Sequence, residues 1–215
     1  MRDERSAERD RARGLAWLLL ALAACDRAPA ITSEWKDSFE RSSLGEDWRD
    51  TSGGKYRLEG GQLHVEGARN HPLWLRRKLP RDVEIEVTVE SRSPAGDIKL
   101  EVLGDGESFA RELSYTATSY VHIFGGWSNS RSELARRDEH GAELVAREDV
   151  KVEPGRRYRF RIQRQGKDVR WAIDGQPFLT YSDPSPLEGA GHEFFAFNDW
   201  DAHLVFDDLV IRPLR

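Results

Sequence analysis

The segment SYVHIFGGWSN, residues 119–129, combines aromatic, imidazole and amide side chains that suit stacking and hydrogen bonding. In a strand Tyr120 and His122 share one face, and the glycine pair that follows lets the backbone bend. We therefore expect Trp127 and Asn129 at the rim of a sheet. An indole stacks on the apolar face of a sugar ring, and an amide donates to and accepts from its hydroxyls.

Two later segments carry the same chemistry on other loops. His140 precedes a glycine, and Asn198-Asp199-Trp200 joins an amide to an indole. The alternative for Trp127 and Trp200 is packing in a hairpin or in the core. Trp171 alternates with apolar residues and is predicted to be a core residue. The residues predicted to bind a ligand are Tyr120, His122, Trp127, Asn129, His140, Asn198 and Trp200.

Several carboxylates have the spacing that sugar hydrolysis needs, which is about 5–10 Å between two carboxyl groups. Glu84 and Glu86 lie about 7 Å apart on one strand face, and Glu101 falls on a strand predicted to be a neighbour. If the protein is an enzyme, the predicted catalytic pair is Glu86 and Glu101. The alternative is a solvated strand face whose Glu residues pair with Lys or Arg across strands.

Composition and acidic positions limit the cofactors and partners. Asp199, Asp201 and Asp207 are oxygen ligands of the kind that calcium prefers, so they are the predicted ligands of a structural calcium ion. Turn chemistry is the alternative for them. No other cofactor is predicted, since the six His residues show no paired metal-ligand spacing. Acidic residues outnumber basic ones by 38 to 33, which argues against a nucleic-acid partner.

Short alternating segments separated by turns run from Trp35 to the end of the chain. In the stretch 156–182, three such segments are joined by a turn at Gly166 and by the hairpin dipeptide Asp174-Gly175. The segment 82–90 alternates throughout, with Val and Ile on one face and mostly Glu on the other. About a dozen strands with frequent turns predict an all-β, two-sheet antiparallel sandwich.

The N-terminal residues have the pattern of an export signal. Gly14 to Ala24 is an uncharged apolar run of 11 residues, too short to span a bilayer and typical of a signal-peptide core. Leu22-Ala23-Ala24-Cys25 resembles the lipobox of bacterial lipoproteins, which implies cleavage before Cys25 and lipidation of its thiol and new amino terminus. The predicted organisation is a signal peptide over 1–24, a lipidated Cys and short tether over 25–34, and one domain over 35–215.

Three sequence blocks resemble the concanavalin A-like lectin/glucanase superfamily, the jelly-roll group that includes laminin-G-like domains. They are DSFERSSLGEDWR with YRLEGGQLHVEG, then PGRRYRFRIQRQGKDVRWAIDGQPF, and finally HLVFDDLVIRPL. The resemblance covers nearly all of the chain from Trp35 onward and implies a jelly-roll sandwich whose concave sheet often binds carbohydrate. The hydrolases of that superfamily carry Glu-hydrophobic-Asp-x-x-Glu, and the segment from Glu84 to Glu90 lacks this spacing. Fold likeness does not select an enzyme over a binding module.

These observations predict a lipid-anchored protein of the bacterial cell envelope, outside the cytoplasm, that binds carbohydrate, including polysaccharide, on a concave sheet face. The alternative is a glycoside hydrolase or related sugar-processing enzyme of the same fold. A third hypothesis is an envelope protein that contacts another protein and no sugar. An exposed Trp in the groove favours the first hypothesis, and a converging pair of carboxylates favours the second.

Overall fold

The computed structural model describes residues 28–111 and 115–215. The predicted signal peptide and Cys25 lie outside these residues. Within them the chain forms fifteen strands and one four-residue helical turn, α1. In chain order the elements are β1 (Trp35–Asp37), β2 (Trp48–Asp50), β3 (Arg57–Glu59), β4 (Gln62–Glu66), β5 (Leu73–Leu75), β6 (Val83–Ser91), β7 (Ile98–Gly104), β8 (Tyr120–Gly125), α1 (Gly126–Asn129), β9 (Arg131–Arg136), β10 (Glu143–Arg147), β11 (Arg157–Gln165), β12 (Asp168–Ile173), β13 (Gln176–Ser182), β14 (Phe194–Asn198) and β15 (His203–Pro213).

The strands form two antiparallel sheets that pack face to face. The eight-stranded sheet has the order β13-β12-β11-β6-β15-β4-β3, with β1 also paired to β15. The seven-stranded sheet has the order β10-β9-β8-β7-β14-β5-β2. Strands that follow one another in sequence often lie in different sheets, as β6 and β7 do. The predicted all-β jelly-roll sandwich is confirmed.

The predicted meander over residues 156–182 is β11, β12 and β13, paired in that order. Its inward side chains fill the core, and Trp171 of β12 is 1% exposed. The ring of Trp171 meets the rings of Phe160 and Phe178 edge to face, with centroids 5.1 and 4.8 Å apart. Such aromatic contacts add to the burial energy. The predicted core position of Trp171 is confirmed.

The outer face of the seven-stranded sheet is buried as well. In β7, Ile98, Leu100 and Val102 fill the core, so Lys99 and Glu101 must point to the opposite face. Both are nonetheless at most 2% exposed, because connecting segments lie over them: the Tyr115 hydroxyl donates to Glu101 at 2.7 Å, and Glu139 lies 2.8 Å from Lys99. The connecting segments therefore bury Lys99 and Glu101 in a polar layer on the outer side of the seven-stranded sheet.

The chain is already packed before the predicted domain start at Trp35. Ile31 donates its backbone N–H to Lys78 at 2.9 Å, and Lys78 donates back to Pro29 at 2.9 Å. The Ile31 side chain is 5% exposed and joins the core, so the packed structure includes residues before Trp35. Within residues 28–111 and 115–215 no helix has the length and apolar character needed to cross a bilayer.

Candidate functional site

Two exposed indoles lie at one end of the seven-stranded sheet. Trp127, in α1 after β8, is 40% exposed, and Trp200, just after β14, is 41% exposed. Because β7 lies between β8 and β14, the two loops are about 10 Å apart, which is two strand spacings. Asp97 precedes β7 and accepts a hydrogen bond from the backbone N–H of Trp200 at 3.1 Å. The two indoles therefore flank Asp97.

The backbone of α1 is a left-handed turn that holds Trp127 at the rim. Gly125 has φ of +72°, and a Cβ there would lie 2.4 Å from the Val152 side chain, so only glycine fits. Trp127 and Asn129 have positive φ of 49° and 60°, which is costly for residues other than glycine. The predicted bend at the glycine pair is confirmed.

The side chain of Asn129 holds this turn in place. Its amide donates to the Val152 carbonyl and accepts from the Val152 N–H, both at 2.8 Å, and it also donates to Pro94 at 3.2 Å. These bonds offset the cost of the left-handed backbone. Both ends of the amide are thus engaged by the protein, so the prediction that Asn129 binds a ligand is wrong, and its role is to position Trp127.

The Trp127 indole lies on the outer side of the seven-stranded sheet. The exposed ring of His140 meets it edge to face at 6.1 Å, and the Arg131 guanidinium lies 5.9 Å from its ring centroid. Arg131 also donates to Glu133, at 2.9 Å, on the outer face of β9. Trp127 and His140, both predicted to bind a ligand from separate loops, thus lie together in the structure.

The Trp200 loop is fixed by backbone pairing with the segment before β5. The N–H of Arg69 donates to the Trp200 carbonyl at 2.9 Å, and the N–H of Asn70 donates to the Asp199 carbonyl at 2.8 Å. The Asp199 carboxylate accepts the N–H of Ala68 at 3.0 Å. Backbone and side chain together hold Trp200 at the sheet end.

A buried polar network lies beneath and between the two indoles. Lys99 donates to Asn70 at 2.9 Å and pairs with Glu139 at 2.8 Å. Asn198 donates to Glu101 at 2.7 Å, and Glu101 also accepts from Ser119 at 2.6 Å. Because buried polar groups must be hydrogen-bonded to persist, this network holds the outer face in one arrangement. Asn198, predicted to bind a ligand, lies inside the network and is fully buried.

Burial perturbs the acids of this region. It raises the pKa of Asp97 and Glu101 above the ordinary carboxyl value, and it raises that of Asp199 to about 6. Burial likewise raises the pKa of Glu133 to about 7, although Arg131 opposes this. Burial disfavours the charge on Lys99, but the carboxylates of Asp97 and Glu139 outweigh it and raise its pKa. Clusters of perturbed groups are typical of functional sites.

Two predicted ligand-binding residues, Tyr120 and His122, point into the core, so these predictions are wrong. The Tyr120 hydroxyl donates to Asp183 at 2.7 Å inside the sandwich. The His122 ring packs edge to face on Trp171 at 5.4 Å. The alternation in β8 is as predicted, but its other face, with Val121 and Ile123, is the outer one.

The predicted catalytic pair of Glu86 and Glu101 does not exist. Glu86 lies in β6 of the eight-stranded sheet and Glu101 in β7 of the seven-stranded sheet, and both point outward, away from each other. Glu86 accepts from Arg159 at 2.6 Å and from Arg161 at 2.9 Å. Burial opposes its ionisation, yet the two guanidinium groups hold the pKa of Glu86 below its ordinary value. The cross-strand ion pairs of the alternative interpretation are what the structure contains.

The predicted calcium ligands do not form one site. Asp207 lies in β15 of the eight-stranded sheet and accepts from Gln62 at 3.0 Å. Asp199 and Asp201 follow β14 of the other sheet, where Asp199 accepts backbone N–H groups and Asp201 lies 3.8 Å from Arg69. Over the two described ranges, no group of three His, Cys, Asp or Glu side chains is placed to hold a metal ion.

Sequence reasoning missed most of the polar network. The alternation of β7 shows that Lys99 and Glu101 share a face, but a solvated strand carries the same alternation. The burial of Lys99 depends on Asn70 and Glu139, which lie far away in sequence. No local pattern marks either of these two residues.

The sequence places the chain in a known family. Residues 74–207, more than half of the chain, match the profile of the family described as farnesoic acid O-methyl transferase. The chain belongs to this family. The matched residues include β7, β8 and β14, and with them Trp127, Trp200 and the polar network apart from Asn70.

The chain is also similar to part of a curated enzyme. It is 21% identical over 177 residues to an extracellular exo-alpha-L-arabinofuranosidase of Streptomyces chartreusis. The match covers 82% of this chain and 20% of that enzyme. The chain therefore spans about a fifth of the length of that relative.

Solved structures share the fold of this family member at low identity. The Emp47p carbohydrate recognition domain is 11% identical with a TM-score of 0.61, and the match covers 88% of this chain and 96% of that one. A prokaryotic beta-1,3-1,4-glucanase (lichenase) derived from a mouse hindgut metagenome is 11% identical with a TM-score of 0.59, covering 85% of this chain and 100% of that one. These likenesses show the fold, in agreement with the resemblance to the concanavalin A-like superfamily.

Proposed function

We propose that the chain binds carbohydrate at the indole site, which we define as Trp127, His140, Asp97 and Trp200. The observation that carries the proposal is the pair of exposed indoles on either side of a half-buried carboxylate. Among the described tryptophans these are the two exposed ones. Leaving a large aromatic surface in water is unfavourable unless a partner covers it.

The chemistry of the site suits a sugar. Each indole offers a flat apolar surface for the C–H face of a pyranose or furanose ring. The Asp97 carboxylate accepts hydrogen bonds from ring hydroxyls, and the exposed His140 ring donates or accepts. The network beneath, centred on Lys99, fixes these groups before a ligand arrives, which lowers the entropy cost of binding.

Two comparisons support this proposal. The Emp47p domain is described as a carbohydrate recognition domain, and the Streptomyces relative acts on an arabinofuranoside. The family description names a methyl transfer to farnesoic acid. No contact among the described residues argues for that reaction in this chain, whereas the indole site argues for a sugar.

The second candidate function is glycoside hydrolysis, and one residue favours it. Glu133 is 1% exposed, with a pKa raised to about 7, and its Oε1 has no hydrogen-bond partner. A carboxyl that stays protonated near neutrality is suited to act as a general acid. Glu133 lies next to Arg131, which contacts the Trp127 ring, and so close to the proposed sugar.

The proposal is tested by titrating the full-length protein with a panel of oligosaccharides in a calorimeter. We expect saturable binding that weakens about tenfold in Trp127→Ala and in Trp200→Ala, because each variant loses one stacking surface. A tenfold loss of affinity corresponds to about 1.4 kcal/mol. Phe109→Ala is the matched control, since Phe109 is 39% exposed, stacks on His71 and is not one of the four residues of the indole site. No binding by well-folded protein, or equal losses in all three variants, would contradict the proposal.

The same samples separate binding from catalysis. New reducing ends that vanish in Glu133→Gln would replace the binding module with a hydrolase. Binding without product supports the module alone.

A further inference from the structure

A pocket of about 400 Å³ opens at the opposite end of the sandwich from the indole site. Leu103, in its wall, lies five residues along β7 from Ile98, and therefore about 17 Å from the indole end. Its apolar surface is formed by Leu79, Leu103 and Leu187, each at most 7% exposed. The volume falls within the range of about 300–1,000 Å³ found for small-molecule sites. We call it the end pocket.

A buried guanidinium forms part of the wall of the end pocket. Arg164 has a side chain only 1% exposed, and its Nη1 donates to the Arg81 carbonyl at 2.8 Å. Its Nη2 donates to Glu188 at 3.2 Å, and its contact with Asp82 is long, at 3.4 Å. Its Nε–H has no acceptor, and neither has the buried Nδ1 of His192 in the same wall. Buried polar groups are normally paired, so two unpaired ones in one pocket need an explanation.

The carboxylate that faces Arg164 comes from the surface. Glu188 has a side chain 48% exposed and also accepts from Arg81 at 2.9 Å. Gly189 and Gly191 follow it with positive φ of 79° and 84°, and nothing lies within 4 Å of a Cβ built at either. This uncrowded backbone and the exposed position of Glu188 let its side chain move aside when another carboxylate takes over its contact with the buried Arg164. Its departure would leave Asp82, at 3.4 Å, as the carboxylate that faces Arg164.

We propose that the end pocket binds a small organic acid, whose carboxylate takes the place of Glu188 on Arg164 and whose apolar body packs on the three leucines. Glu188 is then an internal competitor that covers the site when it is empty. A planar guanidinium binds a carboxylate with two parallel hydrogen bonds, which a neutral amide cannot match. This site is separate from the indole site and does not depend on the proposed sugar function.

The test uses octanoate as the probe and octanamide as its uncharged match, titrated into the full-length protein by calorimetry and ligand-observed NMR. We expect octanoate to bind at least ten times more tightly than octanamide. Glu188→Ala removes the competitor and should tighten octanoate about fivefold or more. Glu153→Ala is the matched control, since Glu153 makes a similar exposed pair with Arg156, at 2.8 Å, and it should leave the affinity unchanged.

A further variant examines the guanidinium itself. Arg164→Gln should abolish octanoate binding in protein that still unfolds cooperatively, and if this variant does not fold, Glu188→Ala decides alone. Equal affinity for acid and amide, or unchanged or weaker octanoate binding in Glu188→Ala, would overturn the proposal. Trp127→Ala should leave octanoate binding intact, so failure at the indole site is distinguishable from failure here.

Discussion

The side chain of His122 illustrates how a polar residue behaves when the fold gives it no partner. It is fully buried, neither ring nitrogen has a well-formed hydrogen bond, and burial lowers its pKa to about 3 although the Tyr120 backbone opposes this. In the unfolded chain the imidazole takes up a proton near pH 6.5. Between about pH 3 and pH 6.5, His122 therefore binds a proton in the unfolded state that it does not bind in the folded state. This contribution to stability is lost as the pH falls from about 6.5 toward 3.

We predict that His122→Leu reduces the loss of stability between pH 7 and pH 5. At pH 7 it should also raise the free energy of unfolding by about 1 kcal/mol, because it removes an unpaired buried group. Urea unfolding at both pH values measures this. His140→Leu serves as the control for an exposed histidine, and the effect of His122→Leu should be the larger of the two. Equal pH dependence in wild type and His122→Leu would contradict the prediction.

At the residue scale, the sequence predicted the exposed pair Trp127 and Trp200 but not the polar groups between them. The glycine pair before Trp127 is a local sequence signal, and the structure contains the bend that it predicts. The burial of Lys99 is not local, because it depends on Glu139 and Asn70 from two distant segments. Single-sequence patterns carry no information on such partners.

At the scale of elements, β8 shows that alternation predicts which residues share a face of a strand but not which face lies in the core. All six residues from Tyr120 to Gly125 are buried, so both faces of the strand are apolar or packed. Period-2 alternation identifies which residues share a face. It does not say which face is inward when loops cover the outer one. Alternation and frequent turns are enough to predict a sandwich. They do not show which strands share a sheet, so the sequence did not place β6 and β7 in different sheets.

The left-handed turn α1 leads to a prediction at this scale. Gly125→Ala would place a Cβ 2.4 Å from Val152 Cγ2 at φ of +72°, so it should cost at least 2 kcal/mol of stability and weaken sugar binding by displacing Trp127. Gly155→Ala is the matched control, with φ of +78° but no atom within 4 Å, so it carries the backbone strain without the clash. Thermal unfolding and sugar titration of both variants measure the difference. Equal stability and equal affinity in the two would show that α1 is not held as described.

At the scale of the whole molecule, attachment to the cell envelope stays a proposal that rests on the lipobox-like sequence ending at Cys25. We predict that Cys25→Ala, expressed in a bacterium, moves the protein from the membrane pellet to the soluble fraction after ultracentrifugation. The reason is that the acyl chains would supply the membrane affinity, at about 0.8 kcal/mol for each buried methylene. Ser33→Ala is the control. Retention of Cys25→Ala in the pellet, in protein from which residues 1–24 have been removed, would argue against a lipid anchor.

The pairing of Pro29 and Ile31 with Lys78 places the first described residues at one end of the sandwich. Lys78 also donates to Glu193, at 2.8 Å, in the wall of the end pocket. The first described residues therefore lie beside that pocket. Trp127 and Trp200 lie at the far pole, about one strand length away, or roughly 20 Å. A surface that holds the protein through the residues before Ala28 would thus have the end pocket on its near side. The two indoles would then face away from that surface, where they could bind a polymer too large to reach it.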